Sequence, residues 1–264
     1  MRLHVHEWGD AAAPPVVCVH GVSAHGRRFR RLAEERLASR FRVLAPDLRG
    51  HGRSEWEPPW DLGTHVGDLL ETFEDVGPCA WVGHSMGGRL VLELAAQAPE
   101  RIRCAVLLDP AIQILPHVGL DFAQEAAKDH AYASAEAAID ARLTSGSLTP
   151  RACLEEEARE HLEASPDGLL RWRYARAAVA AGYGELCREP PPANALAGVP
   201  SLLVHASHFG LVLEGQLEDY AGTLGDGLEL VGVTGGHVVY WDAYEETADA
   251  VEKFLIRHSP VSHP

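Results

Sequence analysis

Ala80-Trp81-Val82-Gly83-His84-Ser85-Met86-Gly87-Gly88-Arg89-Leu90-Val91-Leu92-Glu93-Leu94 runs from an apolar strand, through a serine flanked by glycines, into a helical pattern. A G-x-S-x-G pentamer between strand and helix holds its serine on a sharp, strained turn, so the positions two before and two after it must be small. The serine then stands above the strand end at a helix N-terminus, where partial positive charge favours a developing oxyanion. The plainer alternative is a glycine-rich turn capped by a buried serine. The strand on one side and the helix on the other argue against it.

Working outward, short apolar runs alternate with helical patterns. The strand candidates are Leu3–Trp8, Val16–His20, Phe41–Asp47, Ala80–His84, Cys104–Asp109, Ser201–Ala206 and Leu228–Val233. Several are continuous rather than alternating, as in a parallel sheet covered on both faces. Helical patterns lie at Arg28–Ala38, Thr64–Asp75, Gly87–Gln97, Glu214–Leu224 and Ala243–Ile256. This rhythm predicts an α/β fold, a doubly wound and mostly parallel sheet. Between Asp109 and Pro200 the rhythm breaks. That stretch offers no strand but amphipathic segments near Leu120–Tyr132, Ala135–Leu143, Thr149–Ala164 and Leu169–Ala181, closed by Glu189-Pro190-Pro191-Pro192. It is too long for a loop in one domain. The expected organisation is a core of residues 1–110 and 196–264 with a helical cap over 111–195.

A serine hydroxyl is a poor nucleophile near neutral pH and needs a base. The chain has 15 histidines. His237, in Gly235-Gly236-His237, is singled out because it follows the final strand, where the strand ends of a parallel sheet converge.

Composition narrows the function classes. The 264 residues hold 46% hydrophobic and 23% charged residues, an ordinary soluble balance that excludes collagen-like, disulfide-scaffold and disordered chains. Net charge is −15, which disfavours nucleic acid and anionic membrane surfaces as partners. Only Lys128 and Lys253 among the 23 basic residues are lysines, a bias read as coding preference. The five cysteines form no CxxC pair, and Cys18, Cys79 and Cys104 sit in apolar runs, so neither disulfides nor a zinc site is expected. The histidine pairs His4/His6 and His205/His208 lack a third ligand at a sensible spacing, so no metal is expected. With no apolar leader and no membrane-length run, a soluble cytoplasmic protein is expected, monomer or homodimer.

Taken together, His20-Gly21, Ala45-Pro46-Asp47-Leu48-Arg49-Gly50-His51-Gly52-Arg53-Ser54, Gly83–Gly88 and Gly235–His237 resemble the α/β-hydrolase superfamily, of the kind with an inserted helical cap. The resemblance spans the whole sheet, and the cap is its least matched part. It implies an oxyanion hole from the backbone amides of Val22 and Met86, and a mainly structural role for Asp47–Ser54. It also exposes a departure. Many relatives carry the triad acid a few residues past the penultimate strand. Here Leu202-Leu203-Val204-His205-Ala206-Ser207-His208-Phe209-Gly210 puts Phe209 there, and no carboxylate follows before Glu214. Asp109 is the preferred replacement, since it ends the strand after the serine's own strand. Asp before Pro is also a common turn device, so Glu214, or no acid at all, stays open.

The implied activity is a serine hydrolase cleaving a small carboxylic ester or lactone through an acyl-enzyme on Ser85, without cofactor. His20, His84, Phe209 and Trp172 are candidate pocket residues. The cap aromatics Phe122, Tyr132, Trp172, Tyr174 and Tyr183 divide between pocket lining and the cap's own core, with at least three expected in the core. Two rival readings are a C–C bond hydrolase or perhydrolase on the same triad, and a degenerate hydrolase serving as a small-molecule binding or sensing module. A highly anionic substrate is disfavoured by the net charge unless cap arginines such as Arg171 or Arg173 form a local basic pocket.

Overall fold

The structure, a computed structural model, describes residues 1–208 and 210–259. Seven strands form the main sheet: β1 (Val5–Trp8), β2 (Pro15–Val19), β3 (Arg42–Pro46), β4 (Cys79–His84), β5 (Ile102–Leu108), and, beyond the insertion, β8 (Ser201–Ala206) and β9 (Leu228–Val233). Their spatial order is β1-β3-β2-β4-β5-β8-β9; β1 runs antiparallel to β3 and every other pair is parallel.

The continuous apolar runs are explained by burial on both faces. Val17, Val19, Trp81, Leu107 and Leu203 enter one core, while Val16, Cys18, Val82, Val106 and Val204 enter the other. Each such side chain contributes about 1.5–3 kcal/mol when fully buried. Cys18, Cys79 and Cys104 are buried free thiols, and burial pushes Cys79 and Cys104 up to about 12. They act as small hydrophobes.

Register does the positioning. Cys18 pairs with Val82, Val82 with Val106 and Val106 with Leu202, and His84 lies level with Leu108. Ser85 and Asp109 therefore leave neighbouring strands at the same level of the same sheet edge. β8 and β9 run in register to Ala206↔Val233, and His237 follows four residues later at that edge.

The segment between β5 and β8 carries the helices Pro116–Ala127, Ala135–Thr144, Arg151–His161 and Arg176–Glu185. It also carries strands, which the sequence reading did not expect: β6 (Leu162–Ala164) and β7 (Leu170–Trp172) form an antiparallel hairpin. The expected helix Leu169–Ala181 thus opens as strand, over Leu170–Trp172, and is helical only from Arg176. Pro166-Asp167-Gly168 makes the turn, with Gly168 at φ +80° where only glycine is unstrained. Ala138, Ile139, Leu154, Ala158 and Trp172 give this segment its own small core, against which Tyr132 and Tyr174 pack.

Backbone bonds from Gly52 N–H to Arg173 O (2.9 Å) and from Ala175 N–H to Gly50 O (2.7 Å) tie the insertion to the core. A buried ion pair adds to them. Arg28, on the short 3₁₀ segment Gly26–Phe29, donates to Glu157 of the helix Arg151–His161, with Nε 2.7 Å from Oε2. Burial alone would raise the Glu157 carboxyl. The Arg28 charge, the nearby His25 and the hydrogen bonds outweigh it and hold the carboxyl well below its ordinary value. A depressed carboxyl contributes stability that is full above the unfolded pKa and is lost as pH falls through the folded one, so this contribution fades only below about pH 4.5. Glu157→Ala strands a buried guanidinium and is expected to lower unfolding stability at pH 7 by about 3–5 kcal/mol, read by urea denaturation. A loss under about 1 kcal/mol would mean that water reaches the pair.

Candidate active site

Ser85 occupies the turn between β4 and the helix Met86–Gln97 at φ +55°, ψ −118°, a conformation strained for any residue with a Cβ. Neighbouring backbone enforces the small flanking residues. A Cβ on Gly83 would lie 2.3 Å from Gly87 O, and one on Gly87 would lie 2.0 Å from Val19 O. The turn is locked by Ser85 N–H to Leu108 O (3.1 Å) and by Ala111 N–H to Ser85 O (3.0 Å). The Ser85 hydroxyl opens into a cavity of about 680 Å³ that is also lined by Val22, His84 and His237.

Asp109 follows β5 at φ +39° and is fully buried. Its Oδ1 accepts from Ala206 N–H (3.2 Å), and its Oδ2 from Leu211 N–H (3.1 Å) and from His237 Nδ1 (2.6 Å). A carboxylate cannot donate, so the ring proton sits on Nδ1 and Nε2 is left as an acceptor. Ser85 and His237 line the same cavity without a hydrogen bond between them. Glu214 is exposed at the start of the helix Glu214–Leu224 and makes neither a hydrogen bond nor an ion pair with His237. Phe209 lies outside the described residues.

The turn after β2 closes the other side. Gly21 abuts the serine: a Cβ there would lie 3.3 Å from Ser85 Oγ. Ala24 N–H bonds Gly21 O across this turn, with Ser23 at φ +57°. The Val22 amide has no acceptor among the described residues, and Met86 N–H is one of the four unpaired donors that open a helix.

The candidate pocket residues separate. His84 does reach the cavity. Its Nε2 donates to His237 O (3.0 Å) and its ring packs 4.6 Å from that of His237; burial foremost, then the His237 charge, keeps it neutral by lowering its pKa well below the usual histidine range. His20 does not reach it. Fully buried, it donates from Nδ1 to Gly21 O (2.8 Å) and accepts Leu48 N–H at Nε2 (2.9 Å), so it braces the turn from behind. Trp172 does not line this cavity either, because β7 turns it into the cap core. Of the five cap aromatics, Phe122 and Tyr183 face the Ser85 cavity, while Tyr132 and Tyr174 pack beside Trp172.

Sequence spacing missed several groups. Ser23, Arg28 and Arg142 line the cavity, brought there by a turn, a 3₁₀ segment and a cap helix. His4 and His6 do have a third group near them: β1–β3 pairing sets Asp47 beside the pair, with ligand atoms within 4.8 Å of one another. Asp47 is already occupied. It accepts from Gly26 N–H (2.7 Å), Arg53 N–H (2.9 Å) and His6 (3.1 Å), the work of a loop anchor. Among the described residues no helix is long and apolar enough to cross a membrane.

Comparison with known proteins gives a consistent picture. A model of the alpha/beta hydrolase fold matches residues 14–244. Lipase LipV of Mycobacterium tuberculosis (strain ATCC 25618 / H37Rv) is 34% identical over 247 residues, covering 90% of this chain and 91% of the lipase. The crystal structure of E-2-(acetamidomethylene)succinate hydrolase superposes with a TM-score of 0.82 at 26% identity, covering 96% of this chain and 94% of that one. An alpha/beta hydrolase from Novosphingobium aromaticivorans gives 0.81 at 25% identity, covering 97% and 94%.

Proposed function

The chain belongs to the α/β-hydrolase fold family, and from that premise we propose that it is a serine hydrolase of the lipase and esterase kind, acting on a small carboxylic ester or lactone. The observation that carries the reading is the Asp109–His237 contact of 2.6 Å at the cavity that also holds Ser85.

In this mechanism Ser85 Oγ attacks the ester carbonyl carbon while His237 Nε2 takes its proton. The carbonyl oxygen becomes an oxyanion that accepts from the amides of Val22 and Met86, each worth about 10²–10³ in rate. Asp109 fixes the ring and stabilises the imidazolium, without itself becoming protonated. Collapse breaks the C–O bond. The alcohol leaves with the proton from His237, and the acyl group stays on Ser85. Water then gives a proton to His237 and attacks the acyl carbon, and the acid departs as Ser85 regains its proton. No step calls on a cofactor.

The binding-module alternative drew its force from the missing acid at Phe209. A carboxylate on His237 supplied from β5 supports the enzyme instead. Nothing at the site favours a C–C bond or a peroxide over an ester.

The test is hydrolysis of 4-nitrophenyl acetate through octanoate, followed by a fluorophosphonate probe and peptide mass mapping. Turnover, with stoichiometric probe on the peptide containing Ser85 and loss of activity on labelling, is the expected result. Absence of both turnover and labelling sinks the proposal.

A further inference from the structure

The Ser85 cavity holds an unspent positive charge. Its apolar wall includes Ile114, Phe122 and Leu186, as an ester pocket requires, but Arg142 of the helix Ala135–Thr144 also lines it. Acid outnumbers base 38 to 23 along the chain, and of the insertion's other arginines all but the exposed Arg159, which does not line the cavity, sit on carboxylates. Arg171 pairs with Asp129 and Asp167, Arg173 with Glu163, and Arg151 with Glu136 and Asp140. The two arginines named at the outset as a possible basic pocket, Arg171 and Arg173, are therefore neutralised on the cap surface.

Arg142 is different. Its guanidinium is half-buried 4.9 Å from the Trp172 ring, and no carboxylate among the described residues lies within ion-pair distance. Glu125, on the wall of the adjoining cavity that Arg142 also lines, is engaged by Lys128 and His130. Stacking on an indole face pins the guanidinium plane while leaving its N–H edges free to donate.

Two further donors face the same space. Arg28 gives Nε and Nη2 to Glu157, which cancels its charge, yet its Nη1 carries no hydrogen bond among the described residues. The Ser23 hydroxyl, held in the strained turn beside Val22, is likewise unbonded. Donors without acceptors, around one uncompensated cation, describe a place for an anion.

We propose that this cavity takes an ester bearing a carboxylate away from the scissile bond, with Arg142 as the counter-ion. The inference rests on the serine-hydrolase reading above and names its substrate class: half-esters of dicarboxylic acids, or esters of comparable carboxylated acids. A monoanion is favoured over a phosphate dianion, since a single uncompensated guanidinium faces a surface of net charge −15.

The experiment pairs 4-nitrophenyl hydrogen glutarate with 4-nitrophenyl pentanoate, equal in acyl length and differing in charge. The wild type is expected to prefer the charged ester in kcat/KM by about tenfold or more, the worth of one charge-assisted contact. Arg142→Gln is expected to remove that preference, mainly through KM, and Arg142→Lys to keep part of it. A preference unmoved by Arg142→Gln overturns the proposal. Calorimetry of monomethyl glutarate binding to Ser85→Ala, with and without Arg142→Gln, needs no turnover. A Kd raised about tenfold by Arg142→Gln supports the subsite even if neither ester is cleaved, in which case only the hydrolase reading falls. Equal binding, with both esters cleaved at similar rates, removes the subsite and leaves the hydrolase.

Discussion

Ser85→Ala is expected to lower kcat on a 4-nitrophenyl ester by at least about 10⁴-fold while leaving the protein folded. The size follows from the proposed roles: if Ser85 is the nucleophile, no acyl-enzyme forms without Oγ, and only the two amides and substrate binding remain to help water. The preserved fold follows from the structure. The Ser85 hydroxyl makes no hydrogen bond among the described residues, so its removal leaves no buried partner there unsatisfied, and the backbone bonds at Ser85 N and O are untouched. Alanine has the same Cβ at φ +55° and inherits the strain unchanged. The unfolding free energy from urea denaturation should therefore stay within about 1 kcal/mol of wild type. A variant that keeps more than about 1% of wild-type kcat would place the nucleophile elsewhere, since triad serine losses run to many orders of magnitude.

That separation between activity and stability also explains what could be read from sequence. The elbow is legible because its motif is local: Gly83, Ser85 and Gly87 lie within five residues, even though the backbone that Gly87 must clear, Val19 O, belongs to the neighbouring strand β2. The sheet is legible because two-sided burial leaves continuous apolar runs such as Val16–Val19 and Ala105–Leu108. The hairpin β6–β7 is not, since strands of three residues carry too few positions for alternation to stand out against flanking helical patterns. Its Pro166-Asp167-Gly168 turn was the available signal.

Long-range pairs left no trace at all. Arg28 and Glu157 are 129 residues apart and meet only because the insertion folds back over the sheet edge. Arg142 looked like any other basic residue of a cap helix. Its meaning lies in what is missing around it, and a missing partner has no spacing. The same holds for His4, His6 and Asp47, which antiparallel pairing at the sheet edge assembles from positions about forty residues apart.

Asp109→Asn carries the second large effect: a loss of about 10²–10⁴ in kcat with KM changed far less. Asparagine suits the site sterically. It is among the few residues that tolerate the φ of +39° found there, and its amide oxygen can still accept one of the two amides, Ala206 N–H or Leu211 N–H. What it cannot do is accept in every direction. The two carboxylate oxygens now take three donors, and an amide nitrogen placed at Oδ2 presents hydrogens to Leu211 N–H and His237 Nδ1–H alike. The ring is then driven to protonate Nε2 instead of Nδ1, the tautomer that cannot take a proton from Ser85. Glu214→Gln is the matched control and should leave kcat near wild type, because Glu214 is exposed and does not touch His237. Asp109→Ala is expected to lose stability as well as rate, since it strands two buried amides and the imidazole at about 1–3 kcal/mol each, while Asp109→Asn separates the tautomer from the fold. If Asp109→Asn retains wild-type kcat within about threefold, the carboxylate is a strand-end cap and His237 orients without it, for a tautomer error cannot be that mild.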